Sequence, residues 1–136
     1  MNKIKLYIVL LFLTFGMQQS YSQQYKFKTS GFSVLQKNER GKWGKWSDLN
    51  LVNLLVTLDT DKSRFVVYSQ IIQLFEIIVY QPIEETETDI VYSFSCKDNN
   101  GEDCTVSIIT RKKQDNRKQL YITYDDRIIV YNIFTM

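Results

Sequence analysis

The residues best equipped for chemistry are few. Trp43 and Trp46 sit in Lys42-Trp43-Gly44-Lys45-Trp46, a basic, glycine-containing loop whose indoles could stack on a sugar, a base or a lipid headgroup. The competing expectation is that one indole plugs the end of a barrel and the other covers the loop. Tyr80 and Tyr131 lie in runs that are apolar on both faces, Gln73 to Gln81 and Arg127 to Phe134. One face of each run must fill a core. The other is left for self-association, a partner surface or a second core layer. Trp43, Trp46, Tyr80 and Tyr131 are therefore the candidate binding residues.

Other chemistries lack their parts. With no histidine in the chain, Ser-His-Asp and Cys-His catalysis and histidine-ligated metals are removed. Two cysteines alone close no structural zinc site, and the five glycines form neither a phosphate loop nor a dinucleotide fingerprint. Carboxylate-only hydrolysis has one candidate, Glu76, whose simpler reading is a solvent-facing residue of an amphipathic strand. The acidic turns Asp59 to Ser63 and Asp98 to Asp103 offer oxygens for calcium, but Asp, Asn and Gly are also what tight turns demand. No catalytic residue, metal site or cofactor is assigned.

The elements that must position these residues are strands. Asp89 to Cys96 and Cys104 to Arg111 alternate apolar and polar residues about a polar turn containing Asn100-Gly101, a hairpin signature. Cys96 and Cys104 fall at matching ends and are expected to form a cross-strand disulfide, with two free thiols as the rival reading. Further strands are expected at Tyr25 to Leu35 (with a bulge or bend at Gly31), Asn53 to Leu58, Arg64 to Ser69, Gln73 to Gln81, Leu120 to Tyr124 and Arg127 to Phe134. In Gln73 to Gln81, Phe75, Ile77 and Val79 are expected on one face and Leu74, Ile78 and Tyr80 on the other. The basic stretch Arg111 to Lys118 is read as a solvated hairpin tip. No stretch keeps a helical period with caps. The expectation is an all-β chain: one small antiparallel meander of about eight strands, closed or nearly closed as a barrel, with a β-sandwich as the alternative.

Lys3 and Lys5, the apolar run Leu6 to Phe15, and Ser20 and Ser22 before Gln23 have the pattern of an export signal. The expected division is a signal peptide over 1–22 and a single β domain over 23–136, with periplasmic or secreted localisation. The apolar run is too short to span a bilayer, so no stable membrane anchor is expected after cleavage. The whole chain has 17 basic and 15 acidic residues, and the two lysines of the signal carry the excess. A neutral domain has no global electrostatic reason to bind nucleic acid.

The Trp-x-x-Trp loop, Leu58-Asp-Thr-Asp-Lys-Ser-Arg-Phe-Val-Val-Tyr-Ser69, the Tyr92-Ser-Phe-x-Cys96 hairpin and the terminal Val130-Tyr-Asn132 resemble those of small exported proteins of Gram-negative bacteria and some of their phages. That resemblance implies a periplasmic or secreted β domain and carries over no functional residue. The meander is similar in fold to lipocalin-like and avidin-like barrels, and fold alone does not assign function. The expected function is a non-enzymatic binding module. Its partner would be a small apolar or aromatic-stacking ligand, or a protein. The alternative is an assembly component of the cell envelope, or a phage-encoded accessory protein, that self-associates through strand faces.

Overall fold

The computed structural model describes residues 24–136; the expected signal peptide lies outside the described residues. The elements are β1 (Gln24–Gln36), β2 (Asn50–Leu51), β3 (Leu55–Asp59), β4 (Arg64–Val67), β5 (Gln73–Tyr80), β6 (Glu84–Glu85), β7 (Asp89–Lys97), β8 (Asp103–Arg111), β9 (Arg117–Thr123) and β10 (Arg127–Thr135). Eight of them run in the hydrogen-bonded order β10-β9-β8-β7-β5-β4-β3-β1, and β1 pairs back onto β10. The result is a closed antiparallel barrel rather than a sandwich. Closure leaves the main strands no free edge. The two-residue β2 and β6 are additions, pairing with β1 and β7.

β1 is long enough to serve two neighbours in succession. Its first half pairs with β3, then the register shifts between Thr29 and Gly31, and Gly31 and Phe32 pair with β2. The glycine is required by proximity: a Cβ there would lie 3.0 Å from the Asn50 carbonyl oxygen and from Leu49. Buried Thr29 fixes the crossover, its hydroxyl donating to the Val52 carbonyl (2.7 Å) and accepting from Leu54 N–H (2.9 Å).

Alternation fills the interior. Val56 and Leu58 of β3, Phe65 and Val67 of β4, Phe75 and Ile77 of β5, Val106 and Ile108 of β8, and Leu120 and Ile122 of β9 are buried in one cluster. Phe65, Phe94 and Tyr80 form a run of edge-to-face rings, at centroid distances of 5.0 Å (Phe65–Phe94) and 5.6 Å (Phe94–Tyr80).

One end of the barrel is closed by the β7–β8 turn. Asn99 accepts from Leu74 N–H (2.6 Å) and donates to the Ile72 carbonyl (3.0 Å), tying that turn to the β4–β5 connection. Asp98 accepts from the Asn100 and Glu102 amides and from the Tyr124 hydroxyl (2.8 Å). Arg127 stacks 3.7 Å over the Tyr124 ring and pairs with Glu102 at 3.0 Å. The carboxylate of Asp98 is thus used by its own turn, and Asp59 likewise accepts from the Asp61 and Lys62 amides. Among the described residues, no cluster of three or more His, Cys, Asp or Glu side chains could hold a metal.

The expected disulfide is not formed. Cys96 and Cys104 are direct cross-strand partners, as the hairpin predicts, yet both are free, buried thiols. Each has its own surroundings: Cys96 Sγ faces the Phe94 carbonyl (3.6 Å), and Cys104 lies against Tyr124. They pack as small core residues. Burial, with the neighbouring Cys104 second, pushes the Cys96 thiol up to about 12. Burial, with the charge of Asp98 second, pushes Cys104 up to about 11. The thiolate is the nucleophile, so both should be inert in the native protein. At pH 8, iodoacetamide is expected to label neither cysteine in buffer and both in urea, read by intact mass. Native labelling at the rate of an exposed thiol would contradict this packing.

Candidate functional site

The other end of the barrel is open and holds a cavity of about 690 Å³. That volume lies within the range of small-molecule sites, and eight strands leave room for about one such ligand. Its walls differ. On one side stand Tyr25 and Phe27 of β1, Leu58 of β3, Tyr80 of β5 and Phe94 of β7. On the other stand Thr110 of β8, Asn116 of the β8–β9 turn, Lys118 of β9 and Thr135 of β10. Tyr92 and Ile90 join the lining from the outer part of β7, and Ile83 from the β5–β6 connection.

Tyr80 reaches this cavity because of a β-bulge. Ile77 pairs with Cys96 and Val79 with Ser95, so Ile78 has no place in the ladder. An extra residue inverts the alternation beyond it. Phe75 and Ile77 face inward as expected, but Tyr80 then falls opposite inward-facing Phe94. The expected grouping of Tyr80 with Leu74 and Ile78 on the outer face is therefore corrected. The Tyr80 hydroxyl lies 3.2 Å from the Ser63 hydroxyl across the rim.

Lys118 was missed as a site residue. The basic stretch is not wholly a tip, because β9 begins at Arg117 and carries Lys118 into the sheet. Lys118, Leu120 and Ile122 share the inward face, a period-two pattern that was available in the sequence. The turn itself uses Asp115 and Asn116 at φ 55° and 57°, a left-handed conformation these two residue types tolerate. Lys118 Nζ donates to the hydroxyl of buried Thr110 at 3.2 Å.

The rim is fastened by charge pairs outside the cavity. Lys112 bonds Glu85 (2.7 Å) and the Thr86 carbonyl (2.9 Å), tying the acidic loop to the β8–β9 turn. Arg111 pairs with Asp89 at 3.1 Å, and its hydrogen bond holds the Asp89 carboxyl below the ordinary carboxylate range.

The remaining sequence candidates do not join the mouth. Tyr131 is a core residue, 5 % exposed, tilted against Phe32 at 5.8 Å. Of the two apolar faces of this run, the one carrying Tyr131 and Ile133 fills the core, with Ile129 packed against it. Trp43 and Trp46 are 44 % and 47 % exposed, and neither plugs an end of the barrel. Lys37 sits 4.9 Å over the Trp43 ring, beside the bridge that joins Lys37 to Trp43. Trp46 and Leu49 flank a shallow groove of about 200 Å³ with Val130 and Asn132, on the outer face of β10. Glu76 is exposed on β5, in register with Arg64 and Lys97, in a cross-strand row of alternating charge. No family model, no curated protein and no solved structure matches the chain, so the chemistry of the mouth rests on its own geometry.

Proposed function

We propose that the protein is a non-enzymatic binding module that holds a small, largely apolar ligand in the open mouth of its barrel. The observation that carries this reading is the cavity itself, with Tyr25, Tyr80 and Tyr92 beside Phe27, Leu58, Ile83 and Phe94 at its opening and a packed core beneath. Tyrosine suits such a place: its ring buries against the ligand and its hydroxyl stays wet. No carboxylate lines the cavity among the described residues, and Glu76 points away from it, which favours binding over hydrolysis. The export pattern in the first 22 residues supports a periplasmic or secreted carrier.

The test uses a neutral fluorescent probe, N-phenyl-1-naphthylamine, titrated into purified protein. One probe per chain is expected, with fluorescence raised by transfer from water. Tyr80→Ala should weaken binding about tenfold, the scale of one lost aromatic contact. Trp43→Ala and Trp46→Ala should leave it unchanged. A wild-type protein that binds no probe, or a Tyr80→Ala protein that binds it equally well, rules the reading out.

A second reading, an assembly component that self-associates, is favoured by one feature. The bulge leaves Ile78 and Val79 of β5 55 % and 48 % exposed. Because the barrel edges are closed, association would be face to face. Sedimentation at high concentration separates this reading from a monomeric carrier.

A further inference from the structure

We infer that the ligand of the mouth is an amphiphile with a single anionic headgroup, which Lys118 holds against the Thr110–Lys118–Asn116 wall while the apolar body lies on the aromatic wall. This rests on the reading of the mouth as a ligand site and specifies its chemistry.

The argument begins with charge. Lys118 is the one basic or acidic side chain among Lys, Arg, Asp and Glu that lines the cavity among the described residues. An amine placed at an apolar site seeks an anion, because an uncompensated charge there is costly. Arg111 and Lys112, which follow Thr110 at the end of β8, are already engaged by Asp89 and Glu85. Lys118 makes no salt bridge among the described residues, and its recorded hydrogen bond goes to a neutral hydroxyl, that of Thr110. An ammonium has three donors, so at least one is left to aim at a ligand. The Thr110 hydroxyl accepts from Lys118 and keeps its own proton to donate. The Asn116 amide, beside them at the rim, offers donors of the same kind.

The layout then restricts the body of the ligand. Lys118 and its polar neighbours Thr110, Asn116 and Thr135 come from β8, the β8–β9 turn, β9 and β10, which are consecutive around the barrel, and the polar lining elsewhere, Thr60, Gln81 and Ser93, is uncharged. Tyr25, Phe27, Leu58, Tyr80 and Phe94 come from the opposite arc. A molecule charged at both ends would bring its second charge against rings. A wholly apolar molecule would cover Lys118 and strip its water without replacing it. One anionic head with an apolar body fits both walls.

Three probes with decyl-length chains and different headgroups test this: decanoate, decanol and decyltrimethylammonium, each below its micellar concentration. Each competes with N-phenyl-1-naphthylamine for the wild-type protein. Decanoate is expected to displace the probe with an affinity about tenfold above decanol, the factor that corresponds to one charge-assisted hydrogen bond. The cation should bind more weakly than either. Lys118→Met should remove the advantage of decanoate over decanol, and retained binding of decanol then reports that the variant is folded. Lys118→Arg should keep the preference. Equal binding of decanoate and decanol by the wild type overturns the headgroup assignment while leaving the mouth as an apolar site. So does a decanoate preference that survives in Lys118→Met. If Lys118→Met fails to fold, the order of the three probes on the wild type still decides. A wild type that binds none of the probes removes the ligand site and this inference together.

Discussion

Replacing Phe65 with alanine should destabilise the protein by about 4 kcal/mol, the middle of the range for removing a buried aromatic ring. Phe65 is 1 % exposed and lies in register with Leu58 on β3 and Phe75 on β5, both buried. Its ring meets Phe94 edge-on at 5.0 Å, so the loss includes an aromatic contact as well as buried area. The hole cannot collapse easily, because a closed sheet holds its walls at fixed spacing. Domains of this kind are stable by only about 5–15 kcal/mol, so the loss is a large share of the whole. Urea unfolding should show a lower midpoint at unchanged slope. A loss below about 1.5 kcal/mol would mean that the barrel does not close around Phe65. Tyr80→Ala, two rings along the same run, removes a half-exposed side chain and should cost far less stability, while its effect falls on the ligand. The two variants therefore separate the core from the mouth.

Much of this arrangement was legible from alternation alone. In β8, Cys104, Val106, Ile108 and Thr110 occupy every second position and all are buried, as a period of two requires. The hairpin was placed by Asn100-Gly101, and Gly101 sits at φ 76° where a left-handed residue is needed. Short turns and the cost of open edges pointed to a closed or nearly closed meander, and the pairing of β1 with β10 decides for closure over a sandwich.

What failed did so for identifiable reasons. In Leu74 to Tyr80 both faces are apolar apart from Glu76, so nothing in the residue types marks the bulge that inverts Tyr80. The bulge lies in the pairing of β5 with β7, a contact between segments that the pattern of β5 alone does not specify. In β10 both faces are again apolar, and the identity of the buried one depends on its partner β1 rather than on its own pattern. Lys118 was different, since alternation with Leu120 and Ile122 pointed inward. Its charge argued for a turn and outweighed the period. The disulfide was inferred from compartment and register, but register brings two Cα atoms together without fixing where the thiols point. The Trp43 and Trp46 loop was read by residue type, while its course is set by backbone bonds, Ser47 N–H to the Val34 carbonyl (2.8 Å) and Gly44 N–H to the Gln36 carbonyl (2.9 Å), that lay it along β1.

Asp98→Ala is the second large effect, about 2–3 kcal/mol at pH 7 and a fall in melting temperature of about 10 °C. Asp98 is the hub of the closed end: one oxygen accepts two turn amides and the other accepts the Tyr124 hydroxyl. Alanine leaves all three donors without that acceptor and unties Tyr124 from the turn, leaving Arg127 held to it by Glu102. The same hub makes stability depend on acid. Burial raises the Asp98 carboxyl, but the Tyr124 hydroxyl, the Glu102 and Asn100 amides and the charge of Arg127 together outweigh it, and the net shift is downward from 3.8. A carboxyl lowered in the folded state adds stability that is complete above its unfolded value and is lost as pH falls through the folded one. The wild type should therefore lose stability below about pH 4, and the gap between it and Asp98→Ala should narrow over the same interval. Asp98→Asn, which keeps an amide oxygen for the turn, should fall between the two at pH 7. Tyr124→Phe should share the loss at neutral pH, because it removes the hydroxyl donor to the same oxygen. Parallel urea titrations from pH 7 to pH 2 would measure all four proteins. A constant gap across that range would place the closure of this end on packing rather than on the carboxylate.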